Sequence, residues 1–181
     1  MKTQMKWKWT LGVMSLGLLC GKAQAVNPDT MVVSVTPLAT YSVLIASPMA
    51  GGYQFGNVSL SATTISTVAI VVTNNGNISE FLSLAVSNTS PDTWTPAASP
   101  ASNVFRMSGR FNATQPADAS FASTDDLTTS APSPSSAKFG QGGKTGVSGT
   151  ANLWLRLMMP TSLTTAANAQ TMTLTVNGQP L

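Results

Sequence analysis

The side chains best suited to recognition are three arginines and a tryptophan in two predicted strands. Arg106 and Arg110 lie on one face of the first strand, and Trp154 and Arg156 belong to the second. Guanidinium groups and aromatic rings bind well to sugars and to protein surfaces. These four residues therefore predict a possible interaction surface for carbohydrate or protein. The alternative is that they only cover sheet edges, as single exposed residues often do.

Side chains for catalysis are scarce. The sequence has no histidine, Cys20 is its one cysteine and Glu80 its one glutamate. General acid–base and nucleophilic catalysis depend on such groups. A serine nucleophile would have to use Lys138 or Lys144, which lie near a run of glycines where a base is hard to desolvate. We therefore predict no catalytic residue and no enzyme activity.

Two segments resemble ligand sites in composition. The segment 142–145 reads GGKT, the end of a phosphate-binding loop, but Lys138 stands where that loop needs its first glycine, and no strand-to-helix context surrounds it. Asp118, Asp125 and Asp126 offer carboxylates without the alternate spacing of a calcium loop. We predict a glycine-rich turn and a solvated acidic loop, with no cofactor and no metal ion.

The N-terminus has the pattern of an export signal. Lysines precede an apolar run at 11–19, and the small-x-small triplet at 23–25 predicts cleavage before Val26. The apolar run is shorter than the roughly 20 residues of a membrane-spanning helix. Lipidation at Cys20 is disfavoured because a leucine precedes it. We predict an exported protein, periplasmic, cell-surface or extracellular, with no transmembrane anchor in the mature chain.

Removal of residues 1–25 changes the charge. The full sequence has 9 Lys and Arg against 6 Asp and Glu, but four of the lysines lie in the signal, so the mature chain keeps five basic residues against six acidic ones. Nucleic acid is therefore not an expected partner, since its phosphates require a basic surface. Low charge also reduces repulsion between copies. The expected partners are other copies of the protein or envelope proteins, with carbohydrate as an alternative.

The mature length predicts a single domain. Residues 26–181 suffice for one hydrophobic core and are too few for two comfortable domains. Because the one cysteine lies in the signal, that core must hold without disulfides. The stretch near 112–150 is rich in small and polar residues, which predicts a long excursion over the surface, anchored by Phe121 and Leu127.

The strongest local prediction is a β-hairpin. Apolar residues alternate in 68–73 and again in 82–86, and the sequence Asn-Asn-Gly-Asn at 74–77 lies between them. Asn-Gly suits the positive φ angles of a type I′ turn. We therefore predict that these two strands pair with each other.

The rest of the mature chain also shows strand alternation and no helical period. Trp94, in a loop rich in proline and serine, is expected to cover the core. Further strands are predicted at 31–36, 41–46, 53–62, 104–111, 152–159 and 170–176. The fold class is therefore an all-β, antiparallel two-sheet sandwich, immunoglobulin-like in the broad sense, with a jelly roll as the nearest competitor.

Three stretches carry a resemblance to a known class of domains. Residues 68–86, 152–157 and 171–176 resemble the strand pattern of bacterial immunoglobulin-like surface domains. The resemblance implies a fold and an exported location and no activity. With the composition, it predicts a non-catalytic exported structural or interaction protein, such as a subunit of an extracellular or envelope assembly. The alternative is a carbohydrate- or protein-binding surface module.

Overall fold

A computed structural model describes residues 31–46, 52–133, 135–141, 144–165 and 168–180. The chain divides into two compact units, residues 1–36 and 37–181. Of the first unit only residues 31–36 are described, and they have no regular secondary structure, so the strand predicted there is wrong. The predicted signal at 1–25 and residues 142–143 of the predicted glycine-rich turn lie outside the described residues.

The second unit is built from β-strands, which confirms the all-β class. Two short 3-10 turns, Asp118–Ser120 and Ser123–Asp125, lie in the predicted excursion. The strands of the described chain are β1 Val43–Ile45, β2 Thr63–Ile65, β3 Ile70–Asn74, β4 Phe81–Val86, β5 Thr95–Pro96, β6 Val104–Phe111, β7 Thr150–Met158 and β8 Leu174–Gln179.

These strands form two sheets of unequal size. The larger follows the order β1-β3-β7-β6-β5, with β2 also paired to β7, and it curls into a half-barrel. The smaller sheet contains only β4 and β8. Every strand pair is antiparallel except β5 with β6. Two layers are therefore present, as predicted, but one has far fewer strands than the other.

The central pair, β6 and β7, follows the predicted alternation. Phe105, Met107 and Phe111 of β6 are buried in the core, as are the leucines of β7. Gly109 falls in the same row of β6, and a Cβ there would lie 2.7 Å from Leu84 Cδ1 of the facing sheet. Trp94 is also buried in this core, which confirms its predicted place. The core thus sits between the inner faces of the two sheets.

The predicted hairpin is wrong, although both of its strands exist. β3 pairs with β1 and β7, whereas β4 pairs with β8, so the chain crosses from one sheet to the other at the turn. All six residues of β4 are buried, and a buried strand of a two-layer fold has core on its inner face and further chain on its outer face. Period-two alternation identifies strands but does not say which strands pair.

The turn itself shows why the chain crosses. The Asn74 side-chain amide donates to the carbonyls of Ile78 and Thr145, at 2.9 and 3.0 Å. The amide of Asn75 donates to Ser42 at 2.8 Å. Gly76 does not have a positive φ, so the turn does not need glycine for its backbone angles. Glycine is required because a Cβ there would overlap the carbonyl oxygen of Thr40.

Two other strands begin later than predicted. The run predicted at 53–62 is irregular, and β2 starts at Thr63. β8 starts at Leu174 and extends to Gln179, through Gly178. Position 178 requires glycine, although glycine is unfavourable within a strand, because a Cβ there would overlap the carboxylate of Glu80.

Replacing Gly76 by alanine tests this turn. We expect Gly76→Ala to lower the free energy of unfolding by about 1–3 kcal/mol, because the added methyl group meets backbone that cannot move cheaply. Gly146→Ala is the matched control, since a Cβ there has nothing within 4 Å; it should be neutral or stabilising by up to about 1 kcal/mol. Urea unfolding measures both. Equal effects of the two substitutions would contradict the close approach at Gly76.

Candidate interaction groove

Two of the predicted recognition residues, Arg106 and Arg110, form ion pairs with the excursion. Arg106 Nε lies 2.8 Å from Asp126 Oδ1, and the same oxygen accepts a hydrogen bond from Ser108 Oγ at 2.8 Å. Arg110 Nη1 lies 2.9 Å from Asp125 Oδ2. Both guanidinium groups are partly exposed and are engaged within the domain.

Trp154 and Arg156 lie deeper in the same layer. Trp154 is only 7% exposed, and its Nε1 donates to the carbonyl of Asn112 at 3.0 Å. Arg156 is buried; its Nη1 lies 3.2 Å from Asp118 Oδ1, and its guanidinium stacks 5.0 Å from the centre of the Phe121 ring. Little indole or guanidinium surface is left for stacking on a sugar. A partner-binding role for these four residues stays a prediction.

The three aspartates of the excursion therefore have a structural role. The sequence predicts a solvated acidic loop, but each carboxylate pairs with an arginine of the sheet, and Asp125 is fully buried. Phe121 is buried against Arg156, and Leu127 is buried in the main core next to Gly109, which confirms both residues as anchors. No cluster of three or more metal-ligating side chains occurs among the described residues. These ion pairs fasten the excursion across β6 and β7.

A large groove opens elsewhere, on the apolar core itself. Its volume is about 1030 Å³. The floor consists of core residues that are buried or nearly so, and Ile45 of β1 and Leu174 of β8 both line it. The main apolar lining residues are Ile45, Tyr53, Phe55, Ile70, Trp94, Phe105, Met107, Leu155, Leu157, Met159, Leu163, Met172 and Leu174. The groove thus reaches the same side chains that hold the two sheets together.

The groove is uncharged. None of its lining residues is Asp, Glu, Lys, Arg, His or Cys. Asn, Gln, Ser and Thr side chains from 54–60 and 168–173 make up its polar part. Such a site can bury apolar side chains and exchange hydrogen bonds with a backbone, but it offers no general acid, base or nucleophilic thiol.

The segment that follows β1 forms one wall of the groove. Tyr53 and Phe55 pack edge to face, with ring centroids 4.9 Å apart. The amide of Thr67 donates to the Tyr53 hydroxyl at 2.9 Å, which ties this wall to the chain just before β3. Sequence reasoning read the segment as a strand from its alternation. The two-residue spacing of Tyr53 and Phe55 in that alternation indicates that both rings lie on the same face of the segment.

Backbone edges are also free at the groove. Among the described strands, β1 pairs only with β3, and β8 pairs only with β4. Each therefore has one edge without a strand partner in the described chain. An unpaired edge beside an apolar groove can accept an added strand through main-chain hydrogen bonds.

Glu80, which lies outside the groove, is an unusual polar side chain. The side chain is fully buried, and neither carboxylate oxygen has a hydrogen-bond partner among the described residues. Burial raises the pKa of Glu80 above its ordinary value, and the nearby backbone N–H of Ser42 offsets part of that rise. The buried group is therefore more easily kept neutral than an exposed glutamate.

Comparison of the chain with known protein families, with curated proteins and with solved structures finds no match. Within the described residues, no helix has the length and apolar character needed to cross a bilayer. The site must therefore be interpreted from its own geometry.

Removing one aspartate tests the ion-pair layer. Asp125 is 1% exposed and also accepts a hydrogen bond from the amide of Ala122, whereas Asp118 is 64% exposed. We expect Asp125→Ala to lower the free energy of unfolding by about 2–4 kcal/mol, since it removes a buried carboxylate that accepts from both Arg110 and Ala122. Asp118→Ala, the matched control, should cost at most about 1 kcal/mol, because its carboxylate is exposed and Arg156 keeps its bonds to the Asp118 carbonyl and to Ser108 Oγ. Urea unfolding measures both, and an equal cost would contradict the burial of the Asp125 pair.

The pH dependence of Glu80→Gln tests the buried carboxyl. Because the folded pKa lies above the unfolded value, this glutamate stabilises the fold fully below the unfolded pKa, and that contribution is lost as pH rises through the folded pKa. The stability of Glu80→Gln relative to the parent should therefore increase as pH rises above the unfolded pKa of about 4.3, until the carboxyl is ionised in the folded protein. Urea unfolding across this range measures it. A difference that stays constant with pH would contradict the raised pKa.

Proposed function

We propose that the protein is a non-catalytic exported structural protein, a subunit of an extracellular or envelope assembly. Its signal is cleaved, and its mature part is an immunoglobulin-like β-sandwich. The observation that carries the proposal is the uncharged groove of about 1030 Å³ that opens onto the core beside two strands with unpaired edges. Open apolar surface of this kind marks sites where proteins associate.

The chemistry of the groove supports assembly over catalysis. Its lining offers apolar side chains and amide or hydroxyl groups, with no ionisable acid, base or thiol apart from the phenol of Tyr53. The three arginines of β6 and β7 already have carboxylate partners. A surface built this way gains binding energy from burial of apolar area, and it has no group placed to transfer a proton.

The chain path supports the immunoglobulin-like sandwich. β3 and β4 follow each other in sequence and belong to different sheets, and such crossings join the layers of sandwich folds. The export signal rests on the residues of the first 25 positions: lysines, a short apolar run and a small-x-small triplet. An exported subunit with low charge can pack against its own copies with little electrostatic repulsion.

Light scattering at several concentrations tests the proposal. The average mass of the purified protein should rise with concentration, because copies associate through apolar surface. Raising the salt to about 1 M should leave the association intact, since screening weakens charged contacts and not apolar ones. A mass equal to one chain at every concentration and salt would contradict the proposal.

A further inference from the structure

We propose that the groove binds residues 31–36 of a second copy of this chain, as an added strand. The inference rests on the proposed function and names the contact that joins the subunits. Two features of the same sequence suit each other. One is an apolar groove with free strand edges, and the other is a short apolar segment with no secondary structure of its own.

The segment of residues 31–36 has the β-branched composition of a strand but pairs with no strand in the described chain. Met31, Val33 and Val35 are 84%, 79% and 87% exposed. They alternate with Val32, Ser34 and Thr36, so an extended chain places the first three on one face. Its six residues span roughly 20 Å when extended. Exposed valines in this number are unusual for a soluble chain unless another surface covers them.

The segment and the groove are both uncharged, and the groove is large enough for an extended peptide. Neither residues 31–38 nor the groove lining includes a charged residue. The groove volume of about 1030 Å³ lies at the upper limit of small-molecule sites, and its lining runs along both Tyr53–Leu60 and Asn168–Leu174. An extended peptide would place its apolar face on the core and its backbone against a free edge, which is the usual mode of strand addition.

The anchoring of residues 38–42 favours a second copy as the donor. The amide of Thr40 donates to Asn77 Oδ1 at 2.7 Å, and Asn77 Nδ2 donates to the carbonyl of Leu38 at 2.9 Å. These bonds hold the chain at the turn after β3, beside Val43. The groove is lined by Ile45, at the other end of β1. Residues 38–42 are thus anchored at the end of β1 away from the groove, and a segment supplied by a second copy is free of that anchor.

Paired lysine substitutions test the two faces of the segment. Val33→Lys with Val35→Lys places charge on the face predicted to enter the groove, and we expect it to weaken self-association more than about 100-fold. Ser34→Lys with Thr36→Lys adds the same charge to the opposite face and should weaken it less than about 10-fold. These residues have no regular structure, so neither pair should alter the unfolding curve of the domain. Light scattering and urea unfolding provide the readouts.

The Val33→Lys, Val35→Lys protein also serves as an acceptor with an empty groove. A synthetic peptide of residues 31–38, MVVSVTPL, should bind it and change the fluorescence of Trp94, which lines the groove. The same peptide with the two lysines should not bind. Trp154→Phe in the acceptor removes the other tryptophan of the predicted mature chain, so that the signal comes from Trp94.

Cysteine pairing identifies which copy donates the segment. A copy with Val35→Cys and a copy with Met172→Cys should form a disulfide when mixed, because Met172 lines the groove. Thr36→Cys in place of Val35→Cys is the control and should cross-link far less. The predicted mature chain has no other cysteine. A double variant that closes its disulfide within a monomer would show that the segment fills its own groove, and would overturn the inference.

The outcomes separate the two proposals. If the parent protein associates and the Val33→Lys, Val35→Lys variant associates equally well, this inference fails and the proposed assembly stands on another contact. If the parent protein remains a monomer under all conditions and its groove does not bind the peptide, both fail. Binding of the peptide together with loss of association in the lysine variant supports both.

Discussion

A two-stranded sheet has to cover the apolar face of a much larger one, and most of this structure follows from that mismatch. β4 and β8 lie over the core formed by β3, β6 and β7; β4 is buried there, whereas Leu174 and Val176 of β8 are half-buried. Two strands cannot cover a curled sheet completely. The uncovered part is the groove, where Trp94, Phe105 and Leu157 form the floor. The hydrophobic effect that holds the layers together also favours an occupant at that position.

The opposite face of the larger sheet is closed by polar contacts. Three arginines on β6 and β7 pair with three aspartates of the excursion, and Phe121 packs against the Arg156 guanidinium. Ion pairs of this kind require good geometry to repay desolvation, and they fix one arrangement of the loop. These ion pairs engage all three arginines of the sequence and three of its six acidic residues. That leaves the apolar groove as the chief open feature of the described domain.

Sequence patterns predicted local structure better than pairing. The alternation in 104–111 and 152–159 located β6 and β7, and Trp94, Phe121 and Leu127 were recognised as buried residues. The hairpin was wrong because Asn-Gly also suits a crossing in which glycine admits a neighbouring carbonyl. Arg106, Arg110 and Arg156 pair with aspartates that lie in a loop whose path no periodicity records. The groove exists because the smaller sheet has only two strands. The alternation within one strand does not show how many strands its sheet contains.

Hydrogen exchange measured by mass spectrometry tests the central claim that a second copy covers the open core. In dilute solution the amides of residues 31–36 should exchange as a free chain, and in concentrated solution they should become protected together with those of β8. Protection of residues 31–36 that is already complete in dilute solution, or exchange that never changes with concentration, would contradict the account.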